Sequence, residues 1–519
     1  MSKSTERPPV SQGKLKPNTI GLVGVVFMVV AFSAPVTAMS GNVPVAVGVG
    51  NGTGAPAGFL VATIVLTIFS FGFTALAKHI TSAGAFYTFV SRGLGKPFGL
   101  SAGFLSMLSY MVMEAGLVGI FSAFSQQTFK NQLGIDLPWI VYAVSVVAIM
   151  SLLSYRDISL ASKILAVVLI GEIALLSAMA FSVLFHGGGP NGLMPESLNP
   201  INAFSTNGLV GGSVGVGLLF AFWSWVGFES TAIYGEESRD PKRVIPAATL
   251  IAVVGIGLFY AFISWAMVAG NGATGAVERA TGANPFDLLY YPMKTYLGSW
   301  SVFAMEWFMI LGSFACALAI HNSATRYLYA IGRDGILPRA LGKPHPVHQS
   351  PHIASMVQSC FAAVLLIVSF FAGVDPYGEL FVLVAFFATI SFLTAQILTS
   401  MAAISYFHVR GNHPETASWW RTFLSPIVGG GGMAVVIWLL LTNYDVAAGP
   451  AATTMVGRLV PWAVVTVFTL GILLALYWRQ AKPATYARIG STVYEVHLEE
   501  PLSVTPAGAI DNRMEYEER

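Results

Sequence analysis

Val29–Val47 reads VVAFSAPVTAMSGNVPVAV, an apolar run suited to a bilayer but interrupted by Pro35, Gly41 and Pro44. A second run, GGSVGVGLLFAFWSWVGFESTAIY over Gly211–Tyr234, carries Gly227 and Glu229 in its middle. Proline removes an amide donor and glycine weakens a helix, so neither segment reads as one continuous helix. In hydrocarbon the freed N–H and C=O groups find no water, and such breaks are tolerated only where they line a cavity. Matched breaks opening the two halves of one chain point to a binding site for a transported solute.

The rest of the chain has the composition such a site needs. Hydrophobic residues make up 55%, charged residues 10%, and mean hydropathy is +0.68, whereas a soluble domain carries about 25% charged residues. Lys16 and Lys78 bracket a stretch free of Asp, Glu, Lys and Arg. That is room for two crossings at about 20 residues each, turning at Gly50–Gly54. The net charge of +2 is spread over loops, which excludes a nucleic-acid face. Cys316 and Cys360 lie in apolar segments, so no disulfide, metal framework or cofactor is expected. Met1–Lys16 is polar and the first apolar segment outruns a signal-peptide core, so no cleavable signal is expected either.

Apolar run lengths predict about twelve spans, near 19–45, 57–77, 98–125, 138–155, 161–185, 209–234, 247–270, 299–330, 353–373, 379–407, 422–442 and 458–478. Lys78, Arg92, Lys96, Arg156, Arg239, Lys242, Arg243, Arg333, Arg339, Lys343, Arg410 and Arg421 fall on one side of this topology. The opposite loops hold Lys130, Arg279, Lys294 and Arg458. The positive-inside rule then places both termini in the cytoplasm, and the cytoplasmic membrane is the expected location. Residues 1–18 read as a cytoplasmic N-terminal tail, 19–478 as the membrane domain and 479–519 as a polar, flexible cytoplasmic C-terminal tail.

Three stretches carry a family resemblance. Phe220–Glu229 with Gly235–Pro246 resembles the sixth helix and following loop of the amino acid, polyamine and organocation transporters. Asn322–Ala330 leading into Gly332–Pro338 resembles that family's eighth helix and its cytoplasmic exit, and Ser82–Tyr87 the loop after its second helix. The resemblance spans roughly residues 19–478. It implies an all-α membrane protein, a LeuT-like five-plus-five inverted repeat with two further helices, and discontinuous helices one and six around a midplane substrate.

The expected site follows from these breaks. Ser33, Ala34, Pro35, Thr37 and Gly41 form the first, Phe222, Trp223, Trp225 and Gly227 the second. Many members of the family hold the substrate carboxylate on amides of a Gly-Ser-Gly break, and Pro35 has no N–H to give. The carboxylate is then held by the Thr37 hydroxyl and amides from Ala38 to Gly41, or the substrate lacks one, as in the putrescine importers, which have a similar break. Trp223 matches a gating tryptophan of the arginine/agmatine antiporters, while Ala317 stands where they carry a second, which disfavours arginine exchange.

Carboxylates inside spans are costly and are functional candidates by default. Glu229 matches an acidic gating or proton-exchange position of the family, with capping of loose amides at the break as its alternative role. Glu172 falls where many relatives carry a lysine thought to replace a coupling sodium ion, and suits a proton carrier, with a simple partner to a polar group on a neighbouring helix as its alternative role. Glu114, projected from the third span towards the site, is placed to hold a substrate ammonium. Glu306 reads as a vestibule or packing group, and His321 as a polar core residue with satisfied hydrogen bonds. His345, His348 and His352 lack a further ligand and read as a solvated loop. No ring of pore carbonyls or charges suggests a channel, and no nucleophile–base pair suggests an enzyme. The sequence therefore predicts a proton-coupled transporter of an amino acid, with a polyamine or other amine as the alternative substrate and the oligomeric state left open.

Overall fold

A computed structural model describes residues 20–82, 84–156, 159–345, 350–447 and 454–491. Among the described residues, ten helices are long and apolar enough to cross a membrane, and two shorter apolar ones span Trp139–Ser154 and Val214–Trp223. In chain order the main helices are α1 (Leu22–Ser33), α2 (Ala55–His79), α3 (Lys96–Leu133), α4 (Trp139–Arg156), α5 (Ser159–Phe185) and α6 (Val214–Trp223). They continue with α7 (Pro241–Asn271), α8 (Ser299–Arg333), α9 (His352–Phe371), α10 (Val382–Ile404), α11 (Ser425–Thr442) and α12 (Met455–Ala481). The described residues form no strand beyond isolated bridges.

Local chemistry sets the boundaries. Pro97 opens α3 in the first turn, where its missing N–H costs nothing, and Gly134 closes it at φ 69°. The helix outruns the predicted 98–125 because Gln126, Gln127, Asn131 and Gln132 dilute its hydropathy. Hydropathy reports the surroundings of a helix, not its length.

The two predicted breaks are present. α1 ends at Ala34, which turns left-handed at φ 42°, and Pro35 restarts the helix at its first position. The continuation is widened by π-helical turns at Ala38–Asn42 and Ala46–Gly50, a form concentrated at functional sites. α6 stops at Trp223, and turns occupy the chain to Glu229 before helix resumes at Ser230–Ile233. Gly227 in these turns has φ 113°.

α2 packs along α7 and α3 along α8, while α10 and α12 both lie on α3. α1 sits against α7 and α8. The broken helices are thus held from several sides inside the bundle.

The chain after 478 departs from the flexible reading as far as the described residues reach. α12 runs on to Ala481, and Pro483–Arg488 forms a short helix. Lys96 Nζ donates to Ala487 O at 2.7 Å, and Gly490 N donates to Tyr87 OH at 2.7 Å and Asp334 Oδ2 at 3.1 Å. Ile489 is buried beneath. Composition missed this docking because backbone groups, Ile489 and the ring of Tyr486 make it. Residues 1–18, His348 and 492–519 include or comprise positions outside the described residues.

Candidate functional site

The breaks of α1 and α6 face each other across a small cavity of about 30 Å³. The first break contributes Ser33, Ala34, Thr37, Ala38 and Asn42, and the second Trp223, Ser224 and Val226. Apolar walls come from Met113 and Leu117 of α3, Ile320 of α8, and Phe381 just before α10. A water needs ~10–15 Å³ in this measure, so the space holds about two waters and is far below the ~300 Å³ of a ligand pocket. The conformation is closed, and a solute enters only when the walls separate.

Its polar edge is incompletely bonded. Asn42 Nδ2 donates to Ser224 Oγ at 2.7 Å, joining the two breaks directly. Asn42 Oδ1 and Thr37 Oγ1 are buried without a hydrogen-bond partner. A polar atom left unpaired in such a place costs about 1–3 kcal/mol, and a bound polar solute would recover it. The carbonyls at the end of α1 are occupied: Tyr260 OH donates to Ser33 O at 2.6 Å and Cys316 Sγ to Phe32 O at 3.0 Å.

Both ends of the cavity are sealed. On one side Arg326 pairs with Glu237 at 2.9 Å and lies over the Tyr234 ring at 4.6 Å. There the chain entering α1 is strapped to the loop after α6, with Ile20 N donating to Glu237 O at 3.1 Å and Arg239 N to Ile20 O at 2.8 Å. On the other side Tyr377 OH donates to Gly41 O at 2.8 Å, and the Trp223 and Phe381 rings meet edge-on at 6.0 Å.

Among the residues singled out from sequence, Ser33, Ala34, Thr37 and Trp223 line the cavity. Pro35 and Gly41 shape the break without lining it, and Gly227 lies beneath the Phe32 ring. Phe222 and Trp225 line a separate void of about 10 Å³, and Trp225 Nε1 is anchored on Val253 O at 3.3 Å. Asn42, Ser224 and Phe381 were not anticipated. The first two had a signal, a polar side chain beside a break; Phe381 is brought in only by tertiary packing.

The carboxylates separate by environment. Both oxygens of Glu229 accept hydrogen bonds, Oε1 from Tyr110 OH at 2.5 Å and Oε2 from Gly227 N at 3.0 Å. Glu229 therefore ties the α6 break to α3. Glu172 is buried, and its Oε2 has no partner. It points at Gly312 of α8, where a Cβ would stand 2.5 Å from Oε2 and 3.7 Å from Val36. Glu114 is not on the cavity lining: its Oε2 accepts from Gln358 Nε2 at 2.7 Å and meets His321 Nδ1 at 2.9 Å. Glu306 accepts from Asn131 at 3.2 Å and from Gln132, a packing arrangement between α3 and α8. His345 and His352 meet ring to ring at 5.0 Å, and among the described residues no group of three or more His, Cys, Asp or Glu has metal-ligating geometry.

A helical membrane bundle whose two broken helices enclose a sealed cavity is the architecture of a solute permease. The chain belongs to the amino acid permease family, whose profile matches residues 20–474. It is 23% identical over 407 residues to the branched-chain amino acid permease BcaP of Bacillus subtilis (strain 168), covering 75% of this chain and 81% of that one. It is also 23% identical over 415 residues to the low-affinity putrescine importer PlaP of Escherichia coli (strain K12), covering 79% and 85%. The methylthioribose transporter of Bacillus subtilis (strain 168) is 23% identical over 400 residues, covering 74% and 79%. The family and these relatives are transporters rather than enzymes.

Proposed function

We propose that this permease takes up an apolar amino acid of the branched-chain type, coupled to protons, across the cytoplasmic membrane. The carrying observation is the cavity lining: Met113, Leu117, Val226, Ile320 and Phe381 surround Thr37 and Asn42, and among the described residues no carboxylate joins them. Thr37 Oγ1 and Asn42 Oδ1 offer partners to the polar end of a zwitterion, while the walls suit an apolar side chain. A diamine in the same place would leave two cationic ends without a counter-charge. The amine reading is favoured by the likeness to a putrescine importer and by Pro35, which gives no N–H to a carboxylate at the α1 break.

In this reading the two shorter apolar helices also cross, giving twelve spans. The pairing of α2 with α7 and α3 with α8, elements five apart, supports the inverted repeat. Both termini, the Arg326–Glu237 pair and the short C-terminal helix are cytoplasmic in this reading, which the basic loops support. Glu172, buried with an unpaired oxygen beside the α1 break, carries the coupling proton; Glu229 holds the shape of the α6 break.

Thermal melting of the purified protein tests the substrate class. Leucine, isoleucine or valine at 100-fold above its dissociation constant is expected to add about 2.7 kcal/mol of stability, read as a shift of several degrees, with none from putrescine. Thr37→Val is expected to weaken amino acid binding about three- to tenfold. Stabilisation by putrescine and by no amino acid would overturn the assignment.

A further inference from the structure

Directly behind the cavity wall lies a buried polar group that substrate binding does not use. Met113 and Ile320 face the cavity, and the next residue on each helix, Glu114 and His321, turns away and meets its counterpart at 2.9 Å. Both side chains are fully buried. Gln358 Nε2 from α9 adds a bond to Glu114 Oε2 and another to Met111 O at 3.1 Å.

A hydroxyl chain leads from the imidazole towards the cytoplasmic ends of α4 and α9. His321 Nε2 meets Ser355 Oγ at 2.8 Å, Ser355 donates to Ser154 at 3.1 Å, and Ser154 donates to Asn322 Oδ1 at 3.3 Å. With its own hydrogen committed to Ser154, Ser355 accepts from His321 Nε2. A histidine donating at Nε2 leaves the Nδ1 contact to Glu114 to hold one further proton, on either nitrogen or oxygen. The chain ends beside the cytoplasmic seal, because Arg326 Nη1 donates to Asn322 O at 3.2 Å.

We propose that Glu114 and His321 form a proton-binding site separate from the substrate cavity, reached from the cytoplasm through Ser154 and Ser355, whose occupancy sets the transport rate by internal pH. With the proton, the pair is neutral overall and binds α3 to α8 behind the cavity. Without it, the reversed Ser355 hydroxyl must donate to Nε2, the bond to Ser154 is lost, and the link to Asn322 and the Arg326 turn loosens. The surrounding helices add Tyr110 on α3, bonded to Glu229, Arg326 on α8, paired with Glu237, and His352 on α9, one turn before Ser355. α4 ends at Arg156, and α10 brings no charged residue.

The inference rests on the transport reading, so the test measures counterflow exchange of leucine in proteoliposomes with no imposed gradient while the pH on the cytoplasmic face is varied from about 5.5 to 8. Wild-type exchange is expected to change severalfold over this range, and His321→Asn to flatten the change to under twofold while keeping exchange. Ser355→Ala, which leaves the pair in place but removes the acceptor at Nε2, is expected to alter the pH profile, and it serves where His321→Asn fails to fold. A wild type indifferent to internal pH, or either variant with the wild-type profile, overturns the proposal. A wild type with no counterflow for any amino acid or amine refutes the transport reading itself, and with it this one.

Discussion

Replacing Glu172 by Gln is expected to abolish substrate accumulation driven by a pH gradient, a loss of more than tenfold, while exchange without a gradient continues. Glu172 Oε2 is buried without a hydrogen-bond partner, facing Gly312. An ionised carboxylate so placed costs several kcal/mol unless a cation joins it, so its charge state and the local geometry are coupled. Val36 of the α1 break lies against the same spot, and Tyr260 and Cys316 hold the neighbouring carbonyls of Ser33 and Phe32. A proton arriving at Glu172 therefore acts where α1, α7 and α8 converge. Gln keeps the volume and removes the cycle of charge. Accumulation at the wild-type level in Glu172→Gln vesicles would move the coupling proton elsewhere, and uptake that follows a sodium gradient alone would replace the proton by sodium.

Gly227→Ala is expected to be the most damaging single-atom addition at the site. At φ 113° an L side chain is strained whatever the space, and the new Cβ would fall 1.8 Å from Phe32 Cδ1. Strain and overpacking together cost about 3 kcal/mol or more. Phe32 lines the cavity and its ring also meets Tyr110 edge-on at 5.8 Å, so relief by moving the ring disturbs the partner of Glu229 as well. Lower melting temperature and loss of transport are the expected results. Phe32→Ala should recover part of the stability in the double variant, a coupling that contacting residues show and distant ones do not. A Gly227→Ala protein with unchanged melting and uptake would contradict the geometry of the α6 break.

Much of this site is legible in the chain because breaking a helix in lipid requires residues that cannot be disguised. Pro35 and Gly227 announce the two breaks, and Thr37 and Trp223 beside them reach the cavity. The charged candidates were found by their cost in hydrocarbon, but cost gives no direction. Glu114 sits one residue from a cavity-lining position, and a rotation of about 100° per residue separates a substrate ligand from a partner of His321. Asn42 stands between the helix breakers Gly41 and Pro44, and a lone amide in an apolar run is itself a signal. Phe381 and Gln358 belong to segments remote in sequence, and only packing brings them in. The C-terminal helix was missed for a related reason: polar composition says that a segment builds no core of its own, not that it finds no carbonyl or pocket elsewhere.

Flux measures directly what passes through the cavity. Purified protein in proteoliposomes, with an inward proton gradient, is expected to accumulate leucine, isoleucine or valine saturably, to lose accumulation when the gradient is collapsed, and to be unaffected by excess putrescine. Saturable putrescine uptake that leucine does not compete with would contradict the account.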